Sequence, residues 1–331
     1  MKAIIAYHYG SPDVLQLCDI PIPEPLPHEV LVHNHFVGVN FVDTQHRSDS
    51  CYHVGLPLIP GTEAAGVVAA VGSQVTHFRV TDRVAYAGYM GGNYAEYTCV
   101  TQDRLVPVPE ALPLEYAAAC LLQGLTAHVL VHKVYPVQSG DVVLVHAAAG
   151  GVGLLLVQMA KQLGAVVIGT TSSVQKAPLV SQVGADHVIV YKQADFEEIT
   201  MHLTNGQGVS VVYDGIGGTM FEKNFMVLRA CGYLVSFGLA DGKPAPIDPS
   251  RLSGITGGKN RGSLFYTWAS SSDYVTKAED LREYASAVFD SVIRGQLHLH
   301  IAGVLPLEQA AQAHRLLESR ATSGKLLLKV S

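Results

Sequence analysis

The run Val143-Leu144-Val145-His146-Ala147-Ala148-Ala149-Gly150-Gly151-Val152-Gly153 joins an apolar strand to an apolar helix through glycines. A turn of this kind can hold a pyrophosphate or simply join strand to helix with no ligand, and the βαβαβ pattern that follows it favours the first reading. Gly150 lets backbone approach the anion, and Gly153 lets the helix pack close to the strand. The helix N-terminus then offers unpaired N–H groups and the positive end of its dipole. Ala148 stands where the first glycine of a G-x-G-x-x-G turn usually falls, so the strict pattern is missed by one residue. The end of the next strand selects the nucleotide. An NAD site wants an acidic residue there for the ribose 2′-hydroxyl. This chain has Thr170-Thr171-Ser172-Ser173 and then Lys176. Hydroxyls and an ammonium suit a 2′-phosphate through charge-assisted hydrogen bonds, so the expected cofactor is NADPH. Alone, Lys176 reads better as a solvated helix lysine; the missing acid turns the balance to the phosphate reading.

Those residues need a frame. From Gly140 the chain alternates strand and helix: strands at Val142–His146, Val166–Thr170, His187–Val190, Val209–Tyr213, Tyr233–Phe237 and Ser263–Trp268, with helices at Val152–Leu163, Val174–Val183, Asp195–Leu203 and Gly218–Arg229. Apolar strands alternating with helices predict a parallel sheet buried on both faces, joined by right-handed crossovers. Before that, Val30–His35, Gly66–Gly72, Arg83–Tyr86 and Ala95–Val100 read as strands, with an extended connection through Pro21, Pro23, Pro25 and Pro27. The tail gives a helix at Lys277–Ile293, a strand at His298–Ile301, a helix at Leu307–Ser319 and a closing strand at Lys325–Val330. It does not continue the strand–helix rhythm and is assigned back to the first domain. The expected organisation is α/β: a doubly wound nucleotide-binding domain over 124–270, and a strand-rich domain from 1–123 and 271–331.

Composition narrows the function. Hydrophobic residues make up 48% of the 331-residue chain and charged residues 15%, enough apolar material for two cores. A net charge of −6 with no basic stripe argues against nucleic acid. The five cysteines are odd in number and contain no C-x-x-C, which fits free thiols in a reducing compartment, and the opening residues Met1–His8 are too short an apolar run for a secretion signal. The apolar stretch Val142–Ala160 is interrupted by His146 and Gly150-Gly151, so it reads as strand, turn and helix rather than a membrane span. A cytoplasmic protein with no membrane partner is expected. His33/His35 and His298/His300 each put two imidazoles on one strand face, but no third ligand stands at metal spacing.

Several separated motifs, in order, resemble one family: Gly38-Val39-Asn40-Phe41-Val42-Asp43-Thr44, Pro60-Gly61-Thr62-Glu63-Ala64-Ala65-Gly66, Gly124-Leu125-Thr126, His146 to Gly153, Val212-Tyr213-Asp214, Val235-Ser236-Phe237-Gly238 and Glu318-Ser319-Arg320-Ala321-Thr322. Over essentially its whole length the chain resembles the medium-chain dehydrogenase/reductase superfamily, and within it the quinone oxidoreductase branch that includes zeta-crystallin. The strand-rich domain is then GroES-like. Zinc-dependent members of this superfamily have a cysteine at Asn40, a histidine at Thr62 and a cysteine near Leu122 or Gln123, so the resemblance implies no catalytic metal here. It implies that Gly150, Gly151, Val152 and Gly153 hold the pyrophosphate, that Ser172, Lys176, Tyr191 and Arg320 surround the 2′-phosphate, and that Thr126, Phe237 and Gly238 line the nicotinamide.

The implied chemistry is hydride transfer to a quinone, an acceptor electron-poor enough to need little Lewis-acid help. Asn40, Asp43 and Tyr52 are the polar groups expected nearest the acceptor. Asn40 can donate to a developing oxyanion or simply cap local backbone. Tyr52 can donate a hydrogen bond or the proton, or be an exposed loop aromatic. Asp43 is expected to orient other side chains. Reduction of an enone or enal at its carbon–carbon double bond is the alternative on the same fold. A non-enzymatic crystallin-like role, RNA binding and a reductase module of a larger synthase are readings of other kinds. Relatives join the edge strands of their nucleotide sheets, so a homodimer through the edge near Ser263–Trp268 is expected.

Overall fold

The computed structural model describes residues 1–88, 92–253 and 262–330. The chain forms two compact units, Met1–Leu125 with Val275–Ser331, and Thr126–Tyr274. These boundaries lie two to four residues beyond the expected 123/124 and 270/271.

The first unit opens with strands β1 (Lys2–Ala6), β2 (Leu15–Asp19) and β3 (Glu29–Val39). Helix α1 (Phe41–Ser48) follows directly, then β4 (Glu63–Val71), β5 (Arg83–Ala87), β6 (Tyr97–Thr101) and β7 (Val106–Pro107). Neither α1 nor the next helix, α2 (Leu114–Val129), is anticipated by the sequence reading. Helix α2 runs from the first unit into the second at Thr126, and a π-helical turn, Leu130–Val134, follows it directly. Leu114–Val134 is long and apolar enough to cross a membrane, but 61% of its apolar window is buried inside the fold.

The second unit contains β8 (Val142–Val145), α3 (Gly151–Gln162), β9 (Val166–Thr171), α4 (Ala177–Gln182), β10 (His187–Val190), α5 (Phe196–Leu203), β11 (Val209–Asp214), α6 (Phe221–Asn224), β12 (Leu228–Ser236), β13 (Phe265–Trp268) and α7 (Ser271–Tyr274). Its six strands pair in parallel in the order β10-β9-β8-β11-β12-β13. Counted from β8 this is 3-2-1-4-5-6, the dinucleotide-binding topology. β8 and β11, the two central strands, bury nearly every residue, as a sheet covered on both faces requires.

The expected helix Gly218–Arg229 is corrected. Only Phe221–Asn224 is α-helical, between 3₁₀ turns Gly218–Met220 and Phe225–Val227, and Leu228 already belongs to β12. Leu228 pairs with Val209 across an irregularity in the ladder, and Cys231 in that stretch adopts φ 58°.

The chain then returns to the first unit with α8 (Ala278–Ile293), β14 (Ile301–Pro306), α9 (Ala310–Glu318) and β15 (Lys325–Lys329). The tail completes a seven-stranded sheet in the order β14-β15-β3-β4-β5-β7, with β6 also paired to β3. The expected strand His298–Ile301 is shifted: pairing starts at Ile301, and His298 and His300 lie outside it. At that point Gly324 (φ 71°) passes so close that a Cβ on it would lie 2.1 Å from the His300 carbonyl oxygen. The core of this unit gathers Ile4, Val32, Val37, Tyr86, Leu105 and Leu328 from both ends of the chain.

Candidate active site

In the second unit the glycine turn has the geometry its chemistry needs. Gly150 is the N-cap of α3, extended at φ −76° and ψ 171°. Its N–H bonds to the Ala147 carbonyl at 2.8 Å, and Leu154 N–H is the first to reach back to Gly150, at 2.9 Å. The N–H groups of Gly151, Val152 and Gly153 precede that first helical bond and have no carbonyl of the helix to bond, which is the arrangement an anion site uses. A Cβ on Gly153 would meet the Ala147 carbonyl oxygen at 2.3 Å and Ala148 Cα at 2.8 Å, whereas one on Gly150 would touch only Ala147, at 3.2 Å. Gly153 is therefore needed for packing, and Gly150 leaves open the space a pyrophosphate would fill. The turn fits the cofactor.

Parallel pairing of β9 and β10 aligns their ends, and Tyr191 N–H bonds the Thr171 carbonyl at 3.1 Å. Ser172, Lys176 and Tyr191 thus share one end of the sheet. Burial lowers the Lys176 ammonium below its ordinary range, and the nearby positive charge of Lys192 lowers it further. A neighbouring anion would relieve that repulsion. Lys192, absent from the sequence expectation, borders a cavity of about 380 Å³ with Tyr191, Phe196 and Met220. At the ends of β11 and β12, Gly215 and Gly238 pack so closely that a Cβ on Gly238 would lie 2.8 Å from the Gly215 carbonyl oxygen. Phe237 N–H bonds the Asp214 carbonyl at 2.9 Å. Phe237 and Gly238 therefore border the carboxyl ends of the central strands, where nicotinamide is expected. Thr126 lies half-buried in α2. Arg320 belongs to the first unit, where it follows α9 with φ 56°.

Beneath the turn runs a buried polar chain. His146 Nδ1 pairs with Thr170 Oγ1 at 2.8 Å and Nε2 with Asn224 Oδ1 at 2.7 Å; Asn224 Nδ2 donates to Asp214 at 3.0 Å. Because the Asn224 oxygen can only accept, the imidazole proton sits on Nε2 and Thr170 donates to Nδ1. Burial keeps His146 below its ordinary pKa. This chain ties together the ends of β8, β9 and β11.

In the first unit, Asn40 is the N-cap of α1, and Asp43 Oδ2 accepts its backbone N–H at 2.8 Å. The Asn40 side chain also binds residues of other elements. Its Nδ2 donates to Glu63 Oε1 at 2.7 Å and Thr62 Oγ1 at 3.3 Å, and its Oδ1 accepts from Lys325 Nζ at 2.8 Å and Gln123 Nε2 at 3.4 Å. Lys325 also donates to Glu63, whose other oxygen accepts Leu122 N–H at 2.9 Å. Glu63 and Lys325 are 0% and 3% exposed. Both amide hydrogens of Asn40 are engaged within this cluster.

Asp43 is buried, which pushes its carboxyl up to about 7. Its Oδ2 accepts the Tyr94 hydroxyl at 3.3 Å, and that hydroxyl lies 3.0 Å from His314 Nε2. His314 is held neutral, lowered to about 3 by burial, and its Nδ1 has no partner among the described residues. A bare buried lone pair costs less than a bare N–H, so His314 donates from Nε2 to Tyr94, and Tyr94 to Asp43. Tyr52 stands apart from this network. It is 40% exposed and meets His46 edge to face, with ring centroids 5.8 Å apart.

Glu63 and Lys325 are the members that sequence reasoning missed. Each had a signal: a carboxylate inside the apolar run Gly61–Gly66, and a lysine opening the apolar strand Lys325–Lys329. Ionised groups in such settings need a partner. The residues do not fit zinc. At the positions where zinc enzymes place ligands stand a carboxamide, a hydroxyl and Leu122 or Gln123, with a buried ammonium bonded to the first. No group of three or more His, Cys, Asp or Glu among the described residues is placed to hold a metal.

Known proteins agree with this architecture. The alcohol dehydrogenase GroES-like domain family matches residues 26–110, and the zinc-binding dehydrogenase family matches residues 151–283. A quinone oxidoreductase of Salmonella typhimurium is 40% identical, over 99% of both chains. A 2-haloacrylate reductase of a Burkholderia species is 37% identical, over 99% of this chain and 98% of its own. The structure of Escherichia coli quinone oxidoreductase complexed with NADPH superimposes over 100% of both chains, with a TM-score of 0.94 and 38% identity. On sequence and structure together, the chain belongs to the quinone oxidoreductase family of the medium-chain dehydrogenase/reductase superfamily.

Proposed function

We propose that this protein is an NADPH-dependent oxidoreductase that reduces quinones without a metal. The observation that carries the reading is the glycine turn at the head of a 3-2-1-4-5-6 sheet, followed by Ser172 and Lys176 in place of an acid. Bound NADPH supplies the hydride. Gly150, Gly151, Val152 and Gly153 hold its pyrophosphate, while Ser172, Lys176, Tyr191 and Arg320 hold the 2′-phosphate. Thr126, Phe237 and Gly238 line the nicotinamide. The acceptor lies near Asn40, Asp43 and Tyr52, and its anion takes a proton from solvent or Tyr52. The test is NADPH consumption by the purified protein with p-benzoquinone. Turnover supports the reading; none with any of a panel of quinones contradicts it.

Full-length similarity to a 2-haloacrylate reductase favours a second reading, reduction of a carbon–carbon double bond conjugated to a carbonyl. The same assay with an enone and product analysis separates the two. The protein is further proposed to be cytoplasmic, in keeping with its five free thiols. It is proposed to bind neither nucleic acid nor membrane, and to form a homodimer. β13 ends the strand order of its sheet, and Phe265 and Trp268 on it are 46% and 42% exposed. Such an edge invites pairing; a monomeric mass by light scattering would contradict the dimer.

A further inference from the structure

The buried cluster of the first unit fixes the orientation of two carboxamides in sequence. A lysine ammonium only donates and a glutamate carboxylate only accepts. With Lys325 Nζ 2.8 Å from one end of the Asn40 amide and Glu63 Oε1 2.7 Å from the other, the oxygen must face Lys325 and the nitrogen Glu63. The reverse arrangement would oppose donor to donor and acceptor to acceptor. Asn40 therefore offers oxygen, not nitrogen, to its next neighbour, Gln123, whose Nε2 lies 3.4 Å away. That in turn fixes Gln123 with its NH₂ group toward Asn40. One Nε2 hydrogen is used there and the second is not; the Gln123 side chain makes no other hydrogen bond among the described residues. Glu63, Lys325, Asn40 and Thr62 are buried, while Gln123 is partly exposed. It is the one member of the cluster able to present a donor to an incoming molecule.

We propose that Gln123 is the hydrogen-bond donor to the carbonyl oxygen of the acceptor, and that Lys325 and Glu63 are positioning residues which aim it through Asn40. The inference rests on the reductase reading above. As the nicotinamide C–H bond breaks with its electron pair, NADPH becomes NADP⁺ and the acceptor is reduced to an anion. Its charge gathers on that oxygen until a proton arrives from solvent. A donor held in place before the charge develops stabilises it without reorganisation.

The experiment measures kcat and KM with p-benzoquinone, and NADPH affinity, for four proteins beside wild type. Gln123→Met keeps the length and removes the donor. It should lower kcat about 10- to 100-fold, the effect of losing one hydrogen bond to a charge-bearing oxygen, and leave NADPH affinity unchanged. Gln123→Lys restores an N–H donor and should recover most of the rate. Lys325→Met/Glu63→Gln removes the buried pair together, leaving no lone charge to unfold the protein, and should also lower kcat. Adding Gln123→Met to that pair should then cost much less than in wild type, because an unaimed donor has little left to lose. Unchanged kcat in Gln123→Met, in a wild type that turns over quinone, overturns the inference alone. A full-size Gln123→Met loss in the double background overturns the positioning role of Lys325 and Glu63. A wild type inactive with all quinones overturns both this inference and the functional reading beneath it.

Discussion

The two units hold their functional groups by different means. In the second unit, backbone geometry does the work: Gly153 clears a path for helix α3, Gly150 leaves room for a ligand, and strand ends set side by side collect Ser172, Lys176 and Tyr191. In the first unit, side chains do it. Asn40, Glu63 and Lys325 come from residues as much as 285 apart and lock into one charged, buried cluster. Backbone geometry is encoded locally, by small residues at fixed spacing. A buried ion pair is encoded by residues that look ordinary until the fold brings them together.

That contrast sets what could be read beforehand. The turn from Val143 to Gly153, all six parallel strands and the missing acid after β9 were legible, because each signal is contiguous. Helix α1 was not. It is short, and Phe41–Ser48 is dominated by polar residues buried by tertiary contacts, including Asp43, Gln45 and Arg47. Asn40 and Asp43 were singled out, and Asp43 was expected to orient other side chains, but how each is held was not legible. Both are decided by Lys325, Glu63, Tyr94 and His314, whose arrival no local pattern announces. The broken helix before β12 failed for the same reason, since Leu228 is recruited by Val209 from another element.

Substitutions can break the comparison, and the largest effect should fall on the buried pair. Lys325→Met alone strands Glu63 as an uncompensated charge and should cost about 3–5 kcal/mol of stability. Denaturant unfolding checks this, and the neutral double variant Lys325→Met/Glu63→Gln should recover most of the loss. Gly153→Ala forces a Cβ against the Ala147 carbonyl and should cost about 1–3 kcal/mol, with NADPH affinity falling in parallel. A Gly153→Ala protein that binds NADPH normally would show that the turn is not held by packing.

A smaller, pH-dependent effect distinguishes Asp43. Its folded pKa of about 7 lies above the ordinary carboxylate value of 3.8, so the native state holds a proton that the unfolded chain releases. The sign follows: this contribution is complete below the unfolded value and is lost as pH rises through about 7. Asp43→Asn keeps an acceptor for the Asn40 N–H and cannot ionise. Its stability relative to wild type should therefore improve with rising pH, by up to about 1.4 kcal/mol per unit between the unfolded value of 3.8 and the folded pKa of about 7, and level off above it. Parallel melting curves across that range check it. A constant difference would mean that Asp43 is ionised throughout.

The most direct test of the account is a fluorescence titration with NADPH and NADH, on wild type and on Lys176→Ala. Wild type should prefer NADPH by about tenfold or more, as one charge-assisted hydrogen bond to phosphate implies. The preference should shrink in Lys176→Ala while NADH affinity holds. Equal affinities for the two nucleotides in wild type would contradict the account.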